Sequence, residues 1–88
     1  MKLIRLSNHA NLYCGPRGFT AEEVELAIRS APWTPAKDGR LECSLDLPYD
    51  KLWNGRRYAL KRVRPIFVEE AGAIVVVTVL TYYLRRPQ

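Results

Sequence analysis

The chain has 88 residues, of which 48% are hydrophobic and 26% charged. A single folded domain with one modest core is therefore expected, without a second domain, and no long biased segment argues for disorder. The surplus of 14 Lys and Arg over 9 Asp and Glu gives a net charge of +5, which favours a polyanionic partner. The longest apolar run, Ala73 to Val77, is far short of the roughly 20 residues of a membrane-spanning helix. MKLIRLSNHA lacks a signal-peptide apolar region, so the expected compartment is the cytoplasm, with no membrane partner.

In chain order, LIRLS is a short extended opening or the lead into a helix, with Ser7 available to cap NHANLYC; Gly15 and Pro16 then stop that helix. FTAEEVELAIRSAP is the clearest local signal. Thr20 and Glu23 form a capping box, Phe19 can staple onto Val24, and Val24, Ala27, Ile28 and Ala31 line one helical face. Glu25 can pair with Arg29, and Pro32 ends the helix. Beyond it the apolar period becomes strand-like, with turn signals at KDGR and WNGR. A first strand is expected over Arg40 to Leu47 and a second over Arg56 to about Glu69, bent or bulged at Pro65. A third, AIVVVTVLTYYL, is apolar enough to suggest a central strand covered on both faces. The expected fold is α+β, with N-terminal helices packed on one face of a mainly antiparallel sheet of three to four strands.

The bases cluster. RRYALKRVR holds Arg56, Arg57, Lys61, Arg62 and Arg64 without an acid. Such a run serves either a polyanion or simple solubility. Alternation places Tyr58, Leu60, Arg62 and Arg64 on one face and Ala59, Lys61 and Val63 on the other. If helices cover the second face, Arg62 and Arg64 stand open with Tyr58, as a groove for RNA requires. If Leu60 faces inward, Lys61 is the exposed member.

His9 is the only histidine, the residue type that titrates nearest neutrality. Near a helix start it suits a phosphate, or it is a half-buried neighbour of Tyr13. Hydroxyls of Thr78, Thr81, Tyr82 and Tyr83 at the end of the third strand suit phosphate or ribose, yet Thr and Tyr are also ordinary strand formers. Trp33 and Trp53 read as loop anchors. Cys14 and Cys43 belong to no C-x-x-C pair and are expected as buried thiols. The chain has no Walker loop, G-x-G-x-x-G, paired zinc histidines, G-x-S-x-G or calcium loop, so no metal or cofactor is expected.

The order SNHANL, RGFTAEEVELAIRS, a basic strand and VVVTVLTYY resembles the domain of unknown function 4258 family over nearly the whole chain. That family is grouped with the barnase, EndoU, colicin and RelE-like ribonucleases, several of which are toxins that cut RNA without a metal. The resemblance implies that His9 occupies the family's histidine, Arg17 the Arg of its Arg-Gly pair, and Thr78 the threonine of its last strand. It implies His9 as acid or base, Arg62 and Arg64 as electrostatic clamps, Lys61 as an alternative to either, and Tyr83 as a hydroxyl partner. Arg17, Arg56, Arg57, Tyr58, Thr78 and Thr81 would contact RNA. The long connection SLDLPYDKLWNG and the interruption at Pro65 depart from the family pattern. The functional expectation is a small RNA-directed protein, a metal-independent ribonuclease restrained by an acidic antitoxin-like partner. The alternative is a non-catalytic module whose basic strand binds nucleic acid or protein. A homodimer through a sheet edge is a further expectation.

Overall fold

A computed structural model describes residues 2–85 of the chain. The opening segment is a strand, β1 (Leu3–Leu6). Ser7 caps α1 (Asn8–Leu12), its Oγ accepting from the Ala10 amide at 3.1 Å. Gly15 and Pro16 do not end the helical region as expected; they lie inside a second helical turn, α2 (Cys14–Arg17). Pro16 is its third residue, where a missing N–H forfeits no bond within that turn. The turn ends at Gly18, whose φ of 75° is left-handed. Next comes α3 (Ala21–Ser30) with both halves of the capping box formed, Glu23 N to Thr20 Oγ1 at 3.1 Å and Thr20 N to Glu23 Oε1 at 2.9 Å. It buries Val24, Ala27 and Ile28 beside Phe19, the face that the 3.6-residue period identifies. Glu25 and Arg29 pair at 3.2 Å on its surface.

The remaining elements are β2 (Thr34–Pro35), a 3₁₀ turn (Lys37–Gly39), β3 (Leu41–Glu42), β4 (Leu45–Trp53), β5 (Arg56–Glu69) and β6 (Ala73–Leu84). The sheet order is β1-β6-β5-β3-β2, and β4 also pairs with β5. β1 runs parallel to β6, whereas the other pairs are antiparallel. The α+β class and the N-terminal helices are as expected, but the sheet is a mixed one of six strands instead of a mainly antiparallel one of three or four.

Two departures from the expected strands lie along β5 and β4. The strand expected over Arg40 to Leu47 is broken between β3 and β4 at Cys43 and Ser44. The Cys43 amide donates to the Pro65 carbonyl at 3.3 Å. A strand residue's N and O point to the same neighbour, so the N–H that Pro65 lacks would have faced Cys43, and the ladder fails there. The stretch read as a long connection is largely β4 itself, which absorbs an irregularity between Pro48 and Lys51, with Asp50 at φ 46°. Asn54 and Gly55, at φ 50° and 82°, close the β4–β5 hairpin as the two-residue WNGR signal requires.

β6 is central but not covered on both faces. A bulge against β5 sets Ile66 opposite Thr78 and Phe67 opposite Val76, leaving Val77 extra. The side chains facing the helices therefore change parity, from Ile74 and Val76 before the bulge to Val79, Thr81 and Tyr83 after it. That change makes the apolar run look continuous. The buried core comprises residues of the helices together with Cys43, Val63, Phe67, Ile74, Val76 and Val79, all on the helix side. Among the described residues no helix lies on the opposite face.

Candidate nucleic-acid interface

The basic strand resolves the question of face. Lys61 lies with Val63, Pro65 and Phe67 on the buried side, at 6% exposure. Its ammonium donates to Glu23 at 2.7 and 2.9 Å and to the Gly18 carbonyl at 3.0 Å, and lies 5.4 Å from the Tyr49 ring centre. Lys61 is thus a structural cation joining β5 to α3. Arg62 and Arg64 do stand on the helix-free face, and each is paired with a carboxylate there. Arg62 grips Asp46 through Nε at 2.7 Å and Nη2 at 3.0 Å, and Arg64 grips Glu42 with contacts of 2.7 to 3.2 Å. Asp46 is held below the usual carboxylate range, chiefly by its hydrogen bond from Arg62, and the same bonds raise both guanidinium groups further. Each carboxylate compensates the charge that a clamp role for Arg62 or Arg64 would draw on. Glu42 on β3 and Asp46 on β4 are brought beside these arginines by the register of the two strands on β5.

A different set of candidates meets along the outer edge of β6. Beyond Val76, β1 no longer covers that edge, and α1 and α2 take its place. The Ser7 amide donates to the Val76 carbonyl at 2.9 Å and Ser7 Oγ to the Val77 carbonyl at 3.0 Å. Farther along, Arg17 Nη1 donates to Val79 O at 2.8 Å and to Thr78 Oγ1 at 3.2 Å. These contacts block the edge that would otherwise invite another strand. Arg17 also lies 4.2 Å from the Tyr13 ring centre, and the His9 ring centre lies 4.8 Å from that of Tyr13. His9, Tyr13 and Arg17 therefore form a stack at i, i+4 and i+8, continued by Thr78. Tyr13, which sequence reasoning saw only as a neighbour of His9, is the connecting ring. Among the described residues Arg17 Nε and Nη2 have no acceptor, so the guanidinium is fixed in place with two donor groups unoccupied. His9 is exposed, but the helix-start argument for it fails: α1 has only five residues, and Ser7 already occupies the Ala10 amide.

Tyr83 belongs to the support of this edge. Its hydroxyl donates to the Arg17 carbonyl at 3.1 Å, and its ring stacks on Trp53 at 4.5 Å and contacts Tyr49 and Tyr58 at 5.3 and 5.8 Å. Tyr58 thus joins an aromatic cluster instead of extending the arginine row. Trp53 and Trp33 are anchors as expected, Trp33 donating to the Ile28 carbonyl at 2.8 Å and meeting Phe67 edge-on. Thr81 Oγ1 is buried with no hydrogen-bond partner among the described residues, so it is inaccessible to RNA. Arg57 is tied to Asp50 at 3.2 Å, while Arg56 is exposed beside the hairpin turn.

Burial pushes the Tyr83 hydroxyl up to about 12, with the charges of Tyr49 and Glu23 adding to it, and pushes the Cys43 thiol up to about 11, with Glu42 adding. Both groups fold neutral and ionise earlier when unfolded. Stability is therefore full below the unfolded values of 9.0 for Cys43 and 10.0 for Tyr83, and falls as pH rises through about 11 and about 12 respectively. Urea midpoints should fall between about pH 8 and about pH 11, and Cys43→Ala should flatten the lower part of that decline. An unchanged wild-type midpoint would refute the assignment.

Among the described residues, no group of three or more His, Cys, Asp or Glu is arranged to hold a metal, and no helix is long and apolar enough to cross a membrane. Comparison with protein-family models, curated proteins and solved structures finds no match to the chain.

Proposed function

We propose that this chain is an RNA-directed protein that cuts RNA without a metal, using the β6 edge and not the basic strand. The observation that carries the reading is Arg17, pinned by Thr78, Val79 and Tyr13, with no acceptor for Nε and Nη2 among the described residues, in the same stack as the exposed His9. The resemblance to the domain of unknown function 4258 family supports it, because the positions it picks out, His9, Arg17 and Thr78, lie along this one edge. In the reaction His9 takes the proton of a ribose 2′-OH, the oxygen attacks the adjacent phosphorus as the bond to the 5′-oxygen breaks, the 5′-oxygen takes a proton from water, and His9 returns its proton to solvent. The products are a 2′,3′-cyclic phosphate and a 5′-OH end. Arg17 stabilises the extra negative charge of the phosphorane. Arg56 supplies a further exposed cation for the RNA backbone. A nuclease of this kind would be restrained in its host by an acidic antitoxin-like partner.

The test is RNA cleavage in EDTA with the ends of the products identified. His9→Ala should lower the rate by about 10²- to 10⁴-fold with an unchanged circular dichroism spectrum, since His9 is exposed. Intact RNA at low salt would sink the nuclease reading. Binding without cleavage would favour a non-catalytic RNA module.

A further inference from the structure

The helix-free face of the sheet is more apolar than a solvated face needs to be. An antiparallel sheet covered on one side usually alternates apolar and polar residues cleanly. Here the uncovered side presents Leu60, Ile66, Val75, Leu80, Tyr82 and Leu84, on β5 and β6. None is buried, and Tyr82 is 41% exposed. The charged groups embedded among them are Arg62 with Asp46 and Arg64 with Glu42, each closed on its partner.

We infer that this face is the contact surface between two copies of the chain, related by a two-fold axis. Three features select a second copy. The centre of the face carries equal positive and negative charge in closed pairs, so it presents no net repulsion to itself, which an isologous contact requires. RNA is a poor occupant, because the platform is aliphatic, with Tyr82 its only ring, and its two arginines are already neutralised. The area also suffices. β5 and β6 are 14 and 12 residues long, with the shorter β4 and β1 beside them, and at about 4.8 Å per strand the projected footprint is on the order of 500 Å². Side-chain relief raises this toward the ~800 Å² per partner of a standard interface. This arrangement is a face-to-face contact, distinct from pairing through a sheet edge. It leaves His9 on the β6 edge outside the contact. Cations at the rim, Arg5 on β1 and Arg40 before β3, favour tighter association as salt increases, opposite to the behaviour of RNA binding.

Analytical ultracentrifugation of the full chain tests the inference. The expected result is a species of twice 10.1 kDa that strengthens or holds steady with added salt. Leu80→Glu should weaken dimerisation by at least about 30-fold, whereas Leu26→Glu, on the exposed side of α3, should leave it unchanged. Should Leu80→Glu fail to fold, mixed-label NMR of the wild type replaces it, with intermolecular contacts expected to the Ile66 and Leu80 methyl groups. A monomeric wild type, a dimer indifferent to Leu80→Glu, or a dimer without those methyl contacts overturns the inference. So does a monomer whose Ile66 and Leu80 signals shift only when RNA is added. RNA cleavage is scored separately, so failure of either proposal is seen independently of the other.

Discussion

Glu23→Ala is expected to destabilise the protein by about 3–5 kcal/mol, because it leaves the Lys61 ammonium buried without its counter-charge. Lys61 is 6% exposed, and its other polar contact is the Gly18 carbonyl at 3.0 Å, too little to offset desolvation of a full charge. Glu23 also accepts from Thr20 N in the capping box, so Ala removes a cap worth about 1 kcal/mol as well. Glu23→Gln separates the two effects, since it keeps the capping acceptor and loses the charge. Adding Lys61→Met to Glu23→Gln should recover most of the loss, because a buried pair replaced by apolar volume is often neutral or stabilising. Urea denaturation of the three variants measures this directly; a double variant no more stable than the single would refute the account. The same double variant bears on function. If Lys61 is structural, RNA cleavage survives in it; loss of cleavage in a folded double variant would return Lys61 to the chemistry.

Gly18→Ala should cost about 3 kcal/mol or more, from left-handed backbone strain of about 1–2 kcal/mol plus overpacking. The added Cβ would lie 2.7 and 2.8 Å from the Trp53 ring and closer still to the Tyr83 hydroxyl, at a residue with φ of 75°. The Trp53–Tyr83 stack must open, and the Tyr83 bond to the Arg17 carbonyl goes with it. A shifted tryptophan emission and weaker RNA cleavage should therefore accompany the lost stability. Gly15→Ala is the control, having open space around its Cβ and no positive φ. Equal effects of the two substitutions would show that the Gly18 contact is not what holds the hairpin to the helices.

The surroundings of the candidate residues come from segments distant in sequence. Arg62 and Arg64 were correctly placed on a common face by alternation, but their availability was a property of Glu42 and Asp46, 16 to 22 residues away. No local pattern states which strand lies beside which, and the register of β3 and β4 on β5 decides it. In the same way His9 and Arg17 look unrelated in the chain, until Tyr13 lies between them and β6 supplies the carbonyl that orients the guanidinium.

What the residues settled by themselves were features with short-range causes. The capping box at Thr20 and Glu23 begins α3, and the 3.6-residue period selects its buried face. Asn54 and Gly55 set the hairpin and the start of β5, and β6 follows the apolar run from Ala73. Tertiary structure alone decided the parallel pairing of β1 with β6, the ladder break opposite Pro65, the parity change at Val77 and Thr78, and which cations are neutralised. The physical reason is that each of these is a contact between segments distant in sequence. Its energy depends on what stands opposite a residue, not on the residue's own neighbours.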